Sequence, residues 1–504
     1  MARPNEIDPR FLALPLAKLA RTALSRAQDF NAEHADFRLE RLHTQSLRLR
    51  DSELVDAAEG DVVGFAVRVV VDGTWGFAAG TALTTDEVVR VTEQAVHIAM
   101  VAKPLSSERI ELADEPVYPD QTWVSAYEID PFEVPTAEKV ALLEQWSRQL
   151  QAAPAVQHVA ASAEQVLENK FYLDSAGTMT TQQRVRVHPV VEIHGAAGDA
   201  GPFDSMRTIA PPVGRGWEYL SGVTYDWAAE LAALPELLAE KLAAPSVEAG
   251  RYDLVIDPSN LWLTIHESIG HATELDRALG YEASYAGTSF ATVDKLGSLR
   301  YGSPHLTVTG DRTVEHGLAT IGYDDDGVAT QSFDLVRDGV LVGYQTDRRM
   351  ARHLGWGRSN GCAFADSPGH VPIQRMANVS LQPSPDPVTT DDLIAGVDRG
   401  IYIVGDRSWS IDMQRYNFQF TGQRFYEIRD GRLTGQLRDV AYQATTTDFW
   451  GSMDAVGGAG TWVLGGAFNC GKAQPGQVAA VSHGCPAARF RDISVLNTTA
   501  EGGR

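Results

Sequence analysis

Apolar residues recur at helical spacing over Leu12 to Asn31 and then give way to alternation. The runs FRLERL, SLRLRD and VVGFAVRVVVDGTWGFAAG have the period of strands with one apolar face. Asp72-Gly73 separates two β-rich runs and predicts a hairpin turn. Thr84 through Glu87 has the form of a capping box and opens the helix VVRVTEQAVHIAMVAK. Residues 1–120 thus read as an α+β region with helices on a largely antiparallel sheet.

A proline- and acid-rich stretch from Leu112 to Pro135 leads into a second region, 121–246. Its pattern predicts a helix over Thr136 to Ala153, then strands through KFYLDSAGTMTTQQRVRVHPVVEIHGAAG. A helix over Asp226 to Ala244 follows, which Pro235 should kink. The third region, 247–504, opens on the buried-type strand YDLVI. Asp257 can cap the next helix and Pro258 suits its first position. That helix is expected to run through SNLWLTIHESIGHATELDRALG. Beyond it, VRDGVLVGYQTD and YEIRDGRLTGQL each carry an Asp-Gly turn between β-type runs, and a glycine-rich stretch surrounds Cys470. The expected fold is α+β: an N-terminal α/β part with helices packed on a sheet, and a C-terminal part dominated by antiparallel strands plus the helix at 258–280.

Composition narrows the partners. The chain has 504 residues, 44% apolar and 22% charged, as in soluble globular proteins. Asp and Glu number 66 against 43 Lys and Arg, a formal charge of −23, which opposes a sequence-independent grip on nucleic acid or anionic membrane. No apolar run approaches the roughly 18 residues needed to span a bilayer. MARPNEIDPRFLALPLAKLA lacks the plan of a signal peptide. Three cysteines with no CxxC make neither a disulfide scaffold nor a redox motif, so a reducing cytoplasm is the expected setting.

The chemistry concentrates at His266-Glu267-Ser268-Ile269-Gly270-His271. Two imidazoles and a neighbouring carboxylate are what a zinc peptidase needs: metal ligands and a base beside the attacking water. The usual helical spacing of the two histidines is four. At about 100° per residue, a spacing of five sets them roughly 140° apart on a regular α-helix. A single π-helical turn would bring them together, and Gly270 is expected to ease that distortion. The same pattern also fits two half-buried helix histidines with ordinary partners.

Geometry leaves the third ligand open. Glu274 lies three residues past His271. Cys470 has Lys472 nearby to favour a thiolate, and Cys485 has His483 close by in SHGCP. Cys362 reads as a small packed residue. An oxyanion stabiliser could come from backbone groups of the β-rich region, or from His305, His316 or Tyr416. Besides a peptidase, the sequence admits a peptide-binding subunit without hydrolysis and a cysteine-based regulatory protein.

The segments YDLVIDPSNLWLTIHESIGHATELDR, RMANVSLQPS from Arg375 and FNCGKAQPGQ around Cys470 resemble the TldD/PmbA family of metalloproteases, of TldD type. The resemblance is specific at HESIGH and NCGKAQPGQ and weaker over most of the rest of the chain, from the SLRLRDSELV stretch onward, the extension before Phe37 being a departure from it. It implies that His266, His271 and Cys470 bind Zn2+ and that Glu267 is the catalytic base. It also implies hydrolysis of unfolded or extended peptides with little side-chain selectivity, and pairing with a TldE/PmbA-like partner subunit, a self-dimer being the other possibility. Arg375, Met376 and Asn378 recur in the family pattern as well, where a turn explains them as readily as a site.

Overall fold

The computed structural model describes residues 6–198 and 203–502. The stretch read above as lacking a signal peptide falls partly outside it, at residues 1–5. An N-terminal sheet contains β1 (His34–Arg50), β2 (Glu53–Val71), β3 (Thr74–Gly80), β4 (Gln121–Val124), β5 (His158–Asp174), β6 (Met179–Ala196) and β7 (Phe203–Arg207). Its order is β3-β2-β1-β5-β6-β4, with β7 on β6, and every pairing is antiparallel except β4 with β6. Asp72 and Gly73 take φ of 51° and 71°, the left-handed pair that the predicted hairpin turn demands.

Alternation gives this sheet two different faces. Phe37, Leu39, Leu47 and Leu49 of β1 point one way and are buried under the helices Leu16–Asp29, Thr85–Ala102, Thr136–Gln151 and Trp227–Ala243. The intervening Asp36, Arg38 and Glu40 point the other way, yet they are buried too. They face the C-terminal part: Arg38 donates to the carbonyls of Ser367 and His370, Lys170 to Asp325 and Ala365, and Arg184 to Leu318. Positions that alternation assigns to solvent therefore hold the two halves of the molecule together.

The helices predicted near the N-terminus and at 226–244 are both present. The N-terminal one begins at Leu16, because Pro15 separates it from a short turn at Pro9–Leu12. Pro235 lies inside a helix that is continuous from Trp227 to Ala243.

The C-terminal part comprises β8 (Gly250–Ile256), β9 (Val308–Asp311), β10 (Ser332–Arg337), β11 (Val340–Leu341), β12 (Ala363–Phe364), β13 (Ile373–Gln374), β14 (Asn378–Leu381), β15 (Arg399–Ile411), β16 (Asn417–Arg429), β17 (Arg432–Leu437), β18 (Val440–Thr445), β19 (Met453–Val456), β20 (Val463–Lys472), β21 (Gln477–Cys485) and β22 (Ala488–Asn497). Strands β15, β8, β22, β18 and β16 pair in that order, and β16 pairs again with β15, closing a ring. Only β15 with β8 is parallel in it. Closure leaves those strands without a free edge. A second, four-stranded sheet runs β11-β10-β9-β14, and β20 pairs with β21 as a separate ribbon. The mixed architecture is α+β, strand-rich at the C-terminal end. No helix among the described residues is long and apolar enough to cross a membrane.

Candidate metal centre

The helix carrying the motif leaves β8 as its sequence dictates. Asp257 accepts from Ser259 N, Pro258 occupies the first turn, and Leu261, Leu263 and Ile265 enter the main core. Asn260 fastens it to the ring, donating to the carbonyls of Gly405 and Thr421 and accepting from Tyr442 Oη. The α-helix stops at Ile265. His266–Gly270 form one π turn and His271–Thr273 a 3-10 turn, so the long regular helix expected through 280 is broken inside the motif. The wider turn brings the His266 and His271 rings to 4.7 Å between centroids.

A π turn disturbs backbone hydrogen bonding, and distant side chains supply the missing partners. Gln345 Nε2 donates to Gly270 O at 2.7 Å, while Gln345 Oε1 accepts from Ala377 N. Tyr301 Oη donates to Ser268 O, and Trp450 Nε1 to Ser268 Oγ at 2.9 Å. Gly270 serves a different purpose from the one its flexibility suggested. Its φ of −54° is ordinary for a helix, but a Cβ there would lie 2.6 Å from Met376 Sδ. Close packing, more than backbone freedom, favours glycine here.

Cys470 arrives from β20. In the β20–β21 ribbon Ala467 faces Val481, but Cys470 faces Ala479, because a bulge lies between Ala467 and Cys470. The extra residue reverses the alternation, so the Cys470 side chain shares a face with Ala479, Val481 and His483. Nitrogens of His266 and His271 and the Cys470 sulfur all lie within 4.8 Å of one another, with His271 Nε2 3.6 Å from Cys470 Sγ. All three residues are buried. Two imidazoles and a thiol are a donor set able to hold a divalent cation.

Hydrogen bonding fixes which nitrogen each ring presents. His483 Nδ1 lies 2.9 Å from the Val379 carbonyl, an acceptor only, so that nitrogen carries the proton. His483 Nε2 then accepts, and its 2.7 Å contact puts a proton on His266 Nδ1. His271 Nδ1 donates to Glu274 Oε2 at 2.9 Å. Both rings therefore turn an unprotonated Nε2 toward the cluster. Burial keeps them neutral: it lowers His266, and drives His271 and His483 well below the ordinary imidazole range. Burial pushes the Cys470 thiol up and Arg375 opposes it.

The other expected contributors separate clearly. Glu274 bonds to His271 Nδ1, Lys472 Nζ (3.1 Å) and Arg277 Nε (3.3 Å), orienting a ring instead of joining the donor group. Burial raises Glu274, but Lys472, His271 and Arg277 outweigh it and hold the carboxyl well below its usual range. Lys472 is spent on Glu274, Asp276 and the Gln374 carbonyl, and the cation that acts most on Cys470 is Arg375, whose Nη2 donates to Cys470 O at 2.6 Å. Cys485 lies against Pro258 O, and burial drives its thiol well up. Burial raises the Cys362 thiol to about 11. His305 sits at an exposed turn, His316 meets Gly214 O, and Tyr416 Oη meets Thr447; none bonds to the cluster among the described residues. Met376 packs on Gly270, and Asn378 ties β14 to Ala319 and Ser482.

Glu267, between the two ring-bearing positions, is buried and accepts from Arg415 Nη1 at 2.5 Å. Sequence reasoning missed Arg415, Gln345 and Arg277, and saw His483 only as a neighbour of Cys485. Arg415 and Gln345 are far from the motif in sequence and carry no spacing signal, and Arg277, six residues past His271, is near it but carries none either. His483 alone had one, as a histidine on a strand adjoining the Cys470 strand.

Comparison with known proteins places the chain in a family. Residues 249–497 match the PmbA/TldA metallopeptidase C-terminal domain, and 35–99 match domain 1 of the same metallopeptidases. A metalloprotease of Methanothermobacter thermautotrophicus is 28% identical over 92% of this chain and 96% of its own length. A zinc metalloprotease TldD homolog of Saccharolobus solfataricus is 22% identical over 94% and 98%. TldE from Thermococcus kodakarensis has the same fold, with TM-score 0.71 over 94% of this chain and 99% of that one at 16% identity. The class these matches define is the metallopeptidases. Within it, the chain belongs to the TldD/PmbA family.

Proposed function

We infer that this chain is a zinc-dependent peptidase that cuts unfolded or extended peptides with little side-chain selectivity, with Glu267 as its general base. The observation that carries this reading is the meeting of His266, His271 and Cys470 donor atoms beside Glu267, from segments about two hundred residues apart. Imidazole nitrogen with thiolate sulfur favours zinc over the oxygen-seeking Mg2+ and Ca2+. Zinc held there supplies Lewis acidity toward water and a peptide carbonyl.

The chain's own groups do the rest. Glu267 Oε2 is engaged by Arg415, and among the described residues no hydrogen bond reaches Oε1. Oε1 takes the proton of the attacking water as its oxygen bonds to the carbonyl carbon. The same proton passes to the amide nitrogen as the C–N bond breaks. His483 and Glu274 keep the two ligand rings in one tautomer and one orientation throughout.

The extended substrate is supported by β20. It pairs with β21 along one edge and with no other strand among the described residues. A cleft of about 210 Å³ lies beside it, lined by Val463–Phe468, Trp262, Ile209, Arg207 and His188. A peptide laid on this edge as a further strand would be held by main-chain bonds, which tolerate any side chain. A TldE/PmbA-like partner subunit or a second copy completes the proposed assembly, in the cytoplasm.

The test combines metal analysis of protein made with and without a co-expressed partner with cleavage of a disordered protein and of the same sequence folded. Glu267→Gln should keep the metal and lose turnover. Peptide binding without products from the unaltered chain would instead make it a binding subunit, and equal cleavage of folded and disordered substrates would remove the extended-chain requirement.

A further inference from the structure

We propose that Arg415 is a catalytic residue, the cation that binds the carbonyl oxygen of the scissile peptide as negative charge develops on it. The inference rests on the peptidase reading above and names its missing oxyanion stabiliser.

Arg415 stands in the turn between β15 and β16, and that turn is held from several sides. Asp412 Oδ1 accepts from Gln414 N and Tyr416 N, and Oδ2 from Asn417 N and Nδ2. Arg415 O accepts from Thr446 Oγ1 at 2.8 Å. Met413 O receives Thr288 N at 2.8 Å and backs onto Gly287, where a Cβ would come within 2.0 Å of it. Arg415 itself adopts φ of 64°. Left-handed backbone costs a side chain with a Cβ about 1–2 kcal/mol relative to glycine. A turn needing only that conformation would be served better by Gly or Asn, so the arginine is there for its side chain.

That side chain is aimed inward. Nη1 meets Glu267 Oε2, Nη2 approaches Ala286 O at a long 3.5 Å, and Nε is buried with no partner among the described residues. A guanidinium carries five donors. One strong bond leaves most of them unspent in a largely buried site, beside the carboxylate that takes the water proton. Arg277 Nη2 and Arg375 Nε and Nη1 are also buried without partners among the described residues, but Arg277 is held by Glu274 and Ala286 O and Arg375 by Cys470 O, and Arg415 is the cation that bonds to the base. The same guanidinium thus holds Glu267 with one nitrogen and presents others toward the atom whose charge grows. Only hydrogen bonds change; the proton and bond accounting stays as written for the peptidase step. Fixed donors of this kind act where charge develops and need no reorganisation during the reaction.

The experiment uses the full chain with zinc, and with its partner if one is required. Arg415→Met and Arg415→Lys are compared for metal content, kcat and KM on a disordered substrate, and affinity for a phosphinate peptide mimicking the tetrahedral carbon. Expected for Arg415→Met are unchanged zinc stoichiometry, a kcat about 10²–10³-fold lower and a phosphinate affinity weakened in proportion. KM should change little, and guanidinium salts should restore part of the lost turnover. Arg415→Lys should fall between the two. Loss of zinc in both variants, or a rise in KM with kcat intact, would overturn the proposal, the latter pointing to a carboxylate anchor. If Glu267→Gln is inactive and Arg415→Met is not impaired, this inference alone fails; if Glu267→Gln still turns over, the peptidase reading fails first.

Discussion

Replacing Gly270 by alanine tests whether packing or backbone freedom places glycine in the π turn. Gly270 has φ −54° and ψ −61°, so alanine should by itself gain about 1 kcal/mol of helix propensity. Against that, the new Cβ would sit 2.6 Å from Met376 Sδ, roughly 1 Å inside van der Waals contact of about 3.5–4.0 Å. Met376 is 1% exposed and packs with Ala319, Cys470 and Val481, so it cannot swing into solvent. Overpacking of this kind costs about 1–3 kcal/mol. The balance is a net loss near 1 kcal/mol. In a Met376→Ala background, itself weakened by about 2–5 kcal/mol, the clash is gone and only the propensity gain remains. Gly270→Ala should therefore change sign, from destabilising to stabilising by about 1 kcal/mol, a coupling of about 2 kcal/mol. Urea midpoints of the four proteins measure it, and zinc affinity by chelator competition should move in parallel, since the clash sits between His266 and His271. An effect of Gly270→Ala that is the same in both backgrounds, within about 0.5 kcal/mol, would refute the packing argument.

Two further outcomes follow from the same structure. His483→Phe removes the acceptor that fixes the His266 proton on Nδ1, and should weaken zinc binding about 10–100-fold with secondary structure intact; unchanged affinity would show that the His266–His483 contact does not orient the ligand. Burial, aided by Arg207, lowers His188 to about 4 from an ordinary 6.5, so the unfolded chain binds a proton there that the folded chain refuses. Stability is then full above about pH 6.5 and falls by up to about 1.4 kcal/mol per pH unit as pH drops toward 4; His188→Gln should flatten that acid limb of the Tm profile, and an unaltered limb would contradict the assignment.

Much of the local structure is legible in the chain because it depends on near neighbours. Asp-Gly pairs at 72–73, 338–339 and 430–431 each take two positive φ values. Asp257 and Pro258 start the motif helix, and the five-residue histidine spacing forecasts its π turn. Strand alternation reads Phe37 and Leu39 as core, but the same rule misreads Arg38 and Glu40 as solvent-facing. Burial of the second face depends on the 318–326 and 363–370 segments, which no local pattern links to β1.

The sequence by itself determined the turns, the helix start and the distorted motif, and through resemblance it pointed to the family and to the trio His266, His271 and Cys470, which the fold brings together. Tertiary structure decided what surrounds them. The bulge in β20 turns Cys470 toward His271, His483 and Glu274 set the ring tautomers, Gln345 closes the π turn, and Arg415 holds Glu267. The physical reason is one of range. Backbone dihedrals and caps are settled within a few residues of chain, whereas the donors and acceptors that orient a buried site come from whichever segments the fold brings within about 3 Å.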